Sequence, residues 1–265
     1  MINVMQRRSF ASAVSAAAAA PFLLGAAPSD TDRTQSAAAD GRLKRDMVAA
    51  LENELQDRNT ARAVAAWIFD IGFDWTPAAA PISEFDFLIA YAFGNRPPAN
   101  GGDPAKVLAE PGPMNELLAD VVARIRTKRT MTVYAQWEIA HFLKTKYNMS
   151  QVIAIDPVIA EDGTITYLST DGVAAQVAEQ RKSNPGGLGT AGVVGWRDHI
   201  KRCVLTTEGR GMTALAPEGF TMPDTYDPES GQPWTRRRDL YLVHDMNAQW
   251  GMMRTELISR MYPNG

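Results

Sequence analysis

The sequence predicts an α/β fold, Rossmann-like, with a mostly parallel sheet, helices on both faces and an N-terminal helical extension. Three observations carry this. From Phe85 onward, short apolar runs alternate with segments of helical period, the pattern of strands joined by crossover helices. Most of the runs stop at Gly, Pro, Asn or Asp, residues that turn or cap a chain. Between Pro113 and Ile125 the apolar residues Met114, Leu117, Leu118, Val121, Val122 and Ile125 fall on one helical face.

The chain divides into four parts. Residues 1–29 read as an export signal of the twin-arginine type. Gln6-Arg7-Arg8-Ser9-Phe10 forms a basic start, an alanine-rich apolar stretch runs from Ala11 to Ala27, and small residues precede Asp30. Pro21 lies inside that stretch, which is short for a span of ~20 residues. Residues 30–40 are small and polar and read as a flexible linker. Residues 41–81 read as a helical extension. Leu43, Met47, Leu51 and Leu55 recur every fourth position, a second helix covers Thr60–Ile68, and Pro77 and Pro81 end the extension. Residues 82–265 form the α/β domain.

Within that domain the expected strands are Phe85–Phe93, Met131–Ala135, Val152–Ile155, Ile165–Leu168, Gly192–Trp196, Thr213–Ala216 and Leu240–Val243. The expected helices start at Pro113, Trp137, Gly172 and Asp198, and a last one buries Trp250, Met253, Leu257, Ile258 and Met261. A polar, Pro-rich loop runs from Pro217 to Arg238.

Composition narrows the function. Of 265 residues 45% are hydrophobic, enough for a sizeable core. The net charge is −3, and −5 once Arg7 and Arg8 are removed with a signal, which argues against nucleic acid as the partner. The one cysteine, Cys203, forms no internal disulfide and is expected to be buried. Three scattered histidines give no metal-ligand spacing, and no cofactor motif is visible. After the signal no hydrophobic run is long enough to span a membrane.

Parallel sheets of this kind bind ligands at the carboxyl ends of their strands. The residues to weigh therefore follow strands. Gly94, Asn95 and Arg96 open a Gly/Pro loop that is either an anion cradle or an ordinary turn. His199 and Arg202 lie three apart at a helix start. They suit an anion, with His199 as an acid or base, or else His199 pairs with Asp198 or a carbonyl. Thr170 and Asp171 are ligand contacts, helix caps or both. Glu138 is a catalytic or orienting acid, or it complements a helix dipole. His141 reads as structural and Asp245 as a cap for the last helix.

The motif order IAYAFGNRPPANGG, YAQWEIA, YLSTDGVAAQV, VVGWRDHIKRC and RTELISRMY resembles the SanA/YdcF/ElyC-like family of bacterial envelope proteins, over roughly Phe85 to Tyr262. The resemblance implies a Rossmann-like fold and a polar cleft made by Gly94, Glu138, Thr170, His199 and Arg202. It also implies a role in the cell envelope. The chain departs from the family at Ala135-Gln136-Trp137 and at Asp171-Gly172.

The expected function is that of an exported, periplasmic protein. It binds a small anionic or phosphorylated metabolite in the strand-end cleft and hydrolyses or transfers a group. The alternative is a non-catalytic envelope factor that meets a protein partner through the 217–238 loop, where Tyr226, Trp234 and Arg236-Arg237-Arg238 are interface-type residues.

Overall fold

A computed structural model describes residues 30–184 and 186–263, so residues 1–29, expected to be an export signal, lie outside the described residues. The chain forms two compact units, up to Arg62 and from Ala63 to the end.

In the first unit α1 spans Asp30–Leu55, so the stretch 30–40, expected as a linker, has helical backbone. Ala37–Ala39 are strong helix formers and run without a break into the amphipathic segment, which accounts for the difference. Helix α1 ends at Gln56, whose φ is +53°. Asp57 then caps α2 (Arg58–Phe73), its Oδ1 accepting the amides of Asn59 and Thr60 at 2.9 and 3.1 Å. The unit boundary thus falls inside α2, not at residue 81.

The second unit is an all-parallel six-stranded sheet flanked by helices, the predicted Rossmann-like class. In chain order its strands are β1 (Ala79–Ala80), β2 (Phe87–Ala90), β3 (Thr132–Gln136), β4 (Val152–Ile155), β7 (Thr190–Val194) and β8 (Thr213–Pro217). Their spatial order is β1-β8-β7-β2-β3-β4. The helices are α3 (Pro113–Lys128), α4 (Trp137–Thr145), α5 (Thr170–Arg181), α6 (Ile200–Gly209) and α7 (Arg238–Met261).

All four residues of β2 are buried, as a central strand covered on both faces requires. From β2 the chain winds through β3 to β4, then returns to the other side of β2 as β7. The winding therefore reverses between β2 and β7, and the crevice outside their carboxyl ends is where such sheets take ligands.

Two expected strands differ in kind or place. Leu240–Val243 is the first part of α7. Its Leu-Tyr-Leu-Val run has β character, but helix-forming sequence continues it without a turn, and the sheet edge beyond β8 is taken by β1. That two-residue strand is too short to leave a periodic signal. Ile165–Leu168 shortens to β6 (Ile165–Thr166), which pairs antiparallel with β5 (Val158–Ile159) outside the main sheet.

Helix α3 starts at Pro113, pre-set for a first helical position, after Gly112 at φ +74°. Its predicted face is buried except for Leu117, which is 40% exposed. Cys203 is buried, as expected. No helix among the described residues is long and apolar enough to cross a membrane.

The contrast on α3 gives a stability prediction. Leu118→Ala empties a fully buried position and should cost about 2–5 kcal/mol in urea unfolding, whereas Leu117→Ala should cost under about 1 kcal/mol. Equal losses would contradict the packing.

Candidate functional site

A cavity of about 270 Å³ lies at the carboxyl ends of the strands, and Gly94, Glu138, Thr170, His199 and Arg202 all line it. Each arrives from a different connection. Gly94 follows β2, Glu138 sits in the first turn of α4 after β3, and Thr170 opens α5. His199 is the N-cap residue of α6 and Arg202 lies in its first turn. The switch in winding brings these connections to one place.

Gly94 is fixed by geometry. Its φ is +64°, and a Cβ there would stand 2.7 Å from Met114 Cε and Thr235 Oγ1 and 2.8 Å from Ser230 Oγ. The loop around it is clamped by the buried Asn115. That side chain accepts the Phe93 amide at 2.8 Å and donates to the carbonyls of Gly94 at 2.5 Å and Pro111 at 2.7 Å.

Asp245 is the residue the sequence reading missed. The expected strand at Leu240–Val243 made it a helix cap. With α7 starting at Arg238, Asp245 instead lies within the helix, fully buried. It accepts from Arg202 Nε at 2.6 Å, Tyr241 Oη at 3.0 Å and Gln249 Nε2 at 2.8 Å. The spacing of Tyr241, Asp245 and Gln249, one residue every helical turn, was the available signal, hidden by the strand assignment.

His199 is buried and faces two ways. Its Nδ1 lies 3.5 Å from Asp245 Oδ1, long for a hydrogen bond, so the contact is mainly electrostatic. Its Nε2 lies 3.4 Å from Thr170 Oγ1. Neither Asp198 nor a carbonyl takes the ring. Asp198 instead accepts a two-pronged pair from Arg238 at 2.9 and 3.0 Å and the Tyr226 hydroxyl at 2.8 Å. This ties the start of α7 and the long loop to the β7–α6 turn.

Arg202 donates Nε to Asp245, one terminal nitrogen to Thr170 Oγ1 at 2.9 Å and the other to Tyr241 at 3.2 Å. Its charge is therefore balanced within the wall. Thr170 is not the helix cap: Ser169 Oγ accepts the Gly172 amide at 3.1 Å, which frees the Thr170 hydroxyl for the cavity.

These environments separate the titratable groups. Burial, aided by the Arg202 charge, pushes His199 down to about 4 against the opposing pull of Asp245. Burial pushes the Glu138 carboxyl up to about 8; the Asn95 side chain opposes the shift, and Oε2 has no partner. For Asp245 burial acts upward, but His199 and Arg202 outweigh it and hold the carboxyl below its ordinary range. At neutral pH the cavity thus presents a protonated acid, a neutral imidazole and an internally paired Arg–Asp couple.

Two expected contacts lie elsewhere. Asp171 is exposed in the first turn of α5 and pairs with Arg210, the guanidinium within reach of that outward face. Arg96 turns to the long loop, 2.8 Å from both Asp227 and Glu229, because a carboxylate fork matches its geometry. Asn95 stays with the site: it is buried, its side chain hydrogen-bonds Glu138, and its carbonyl accepts the Gly231 amide at 2.7 Å. His141 is exposed on α4, packed edge-on to Phe142. The long loop contributes Gln232, Trp234 and Thr235 to the cavity wall, Trp234 stacking on His244.

A larger open groove of about 980 Å³ runs along α3 beside Met149 and Met222. No residue with an unpartnered buried side-chain polar atom among the described residues lines it, whereas Glu138, whose Oε2 is one such atom, lines the smaller cavity. The smaller cavity, where Glu138, Thr170, His199 and Arg202 converge, is the candidate site.

Comparison of the chain with family models, curated proteins and solved structures finds no match. Fold and cavity together define its class: a Rossmann-like α/β protein with a polar cavity at the topological switch of its sheet.

The two shifted groups act oppositely on stability. His199, depressed, contributes stability that is complete above about 6.5 and is lost as pH falls towards about 4. Glu138, raised, contributes stability that is complete below its unfolded value and is lost as pH rises through about 8. From about pH 6.5 to 8 only the Glu138 contribution changes, at about 1.4 kcal/mol per pH unit, or roughly 2 kcal/mol. Urea midpoints should fall across that window in the wild type and stay level in Glu138→Gln. A parallel fall in the variant would contradict the assignment.

Proposed function

We propose that this is an exported, envelope-associated protein that binds a small anionic metabolite in the strand-end cavity and hydrolyses it or transfers a group from it. The observation that carries the reading is the convergence of two buried titratable groups, Glu138 and His199, on one cavity, where burial favours the protonated acid in the first and the neutral base in the second. Two groups driven apart in this way divide proton donation from proton abstraction at the same pH.

Arg202 is the cation for the ligand's anionic group. Because Asp245 balances its charge, the site supports a polar or singly charged ligand better than a phosphorylated one. His199 takes the proton of the attacking group, and Glu138 gives one to the leaving group. Export rests on Gln6-Arg7-Arg8-Ser9-Phe10, and the envelope role on the resemblance to the SanA/YdcF/ElyC-like family.

A partner role for the 217–238 loop is less well supported. Tyr226 and Asp227 are committed to Asp198 and Arg96, so the loop packs on its own domain.

The pH–rate profile tests the reading. With p-nitrophenyl acetate and p-nitrophenyl phosphate as probes, kcat/KM should hold between limbs near pH 4 and pH 8. The lower limb is protonation of His199 and the upper is ionisation of Glu138. His199→Gln should lose about 10²–10⁴-fold with a melting temperature within a few degrees. Wild-type turnover in that variant would overturn the reading.

A further inference from the structure

We infer that Thr170 is a nucleophile and that the substrate class is a small carboxylic ester, hydrolysed through an acyl-Thr170 intermediate. This rests on the acid–base reading of the same cavity and deepens it.

Thr170, His199 and Asp245 form an ordered line. Thr170 Oγ1 stands 3.4 Å from His199 Nε2, and His199 Nδ1 stands 3.5 Å from Asp245 Oδ1. That is the nucleophile–base–orienter sequence of hydroxyl catalysis, at the looser spacing expected before a ligand tightens it. The hydrogen-bond polarity is self-consistent. Thr170 Oγ1 accepts from Arg202, which directs its own proton towards Nε2. With Asp245 ionised, the His199 proton belongs on Nδ1, leaving the Nε2 lone pair for Thr170. Ser169 performs the capping, so the Thr170 hydroxyl has no structural duty in α5.

Charge selects the electrophile. The wall holds one arginine already matched by one aspartate, a neutral imidazole and a protonated carboxyl. A neutral carbonyl enters such a site at less desolvation cost than a phosphoryl dianion. Negative charge then appears only as the carbonyl oxygen becomes an oxyanion, beside Arg202 and the positive end of α5. The Glu138 Oε2 atom, buried and unpartnered at the cavity, is placed to donate to the departing alcohol.

The steps balance. Thr170 Oγ bonds to the carbonyl carbon and its proton moves to His199 Nε2. The tetrahedral adduct collapses, the carbon–oxygen bond to the alcohol breaks, and the alcohol leaves with a proton from Glu138 or His199. Water then adds to the acyl ester and gives its proton to whichever of Glu138 and His199 protonated the alcohol. The Thr170 Oγ–carbon bond breaks and the hydroxyl recovers its proton, so one ester and one water become one acid and one alcohol.

The test is trapping on the full folded chain with p-nitrophenyl acetate, followed by intact mass and peptide mapping. The expected result is one acetyl group on the peptide containing Thr170, retained in Thr170→Ser and absent in Thr170→Val. Hydrolysis should fall at least about 10²-fold in Thr170→Val. No acetyl group at this position in wild type or Thr170→Ser overturns the proposal, as does a phosphoryl group there from p-nitrophenyl phosphate. Thr170→Val with wild-type hydrolysis, alongside an inactive His199→Gln, removes the nucleophile but leaves the acid–base reading standing. Wild-type hydrolysis in both variants removes both.

Discussion

The buried carboxylate of Asp245 is the constraint on which the site depends. An ionised acid in an apolar interior survives only if its charge is matched and its lone pairs are filled. Arg202, Tyr241 and Gln249 fill them, and His199 stands close enough to feel the charge. These partners come from α6 and α7, so the carboxylate joins the helix after β7 to the C-terminal helix. Removing it would leave the Arg202 guanidinium buried and unmatched, which is costlier than losing the pair altogether.

The same interaction sets what the cavity can do. By balancing Arg202, Asp245 leaves the cavity without net charge near neutral pH. Burial then decides the remaining groups, lifting Glu138 and depressing His199. A second ion pair supports the arrangement from outside. Asp198 holds Arg238, the first residue of α7, and Tyr226 of the long loop. Phe93, Trp196, Tyr226 and Tyr241 pack between the two pairs, Phe93 and Trp196 stacked at 4.8 Å. Helix α7 is thus held by two ion pairs, Asp198 on its first residue Arg238 and its own Asp245 on Arg202 of α6.

Much of this was legible in the sequence because it follows from local pattern. The alternation of apolar runs and helical periods fixes a parallel sheet, and a parallel sheet fixes where connections converge. Gly94, Glu138, Thr170, His199 and Arg202 could be named on that basis alone. Asp171 and Arg96 could not be told apart from them, because an exposed acid beside Arg210 and a loop arginine beside Asp227 look the same in one dimension. Asp245 was hidden for a different reason. The Leu240–Val243 run has strand character, and only the tertiary position of β1 on β8 shows that the sheet has no place for it. Helix α1 was shortened by reading Ala37–Ala39 as linker composition when the same residues are strong helix formers.

The central claim is that a protonated carboxyl faces a neutral imidazole across one cavity. It is tested most directly by carbon-13 NMR of the side-chain carboxyl of Glu138, assigned with Glu138→Gln and followed through pH. The account predicts a titration midpoint near the value its burial sets, about 8. A midpoint in the ordinary carboxylate range, near ~4, would mean that the acid is ionised at neutral pH, and the division of roles between Glu138 and His199 would fail.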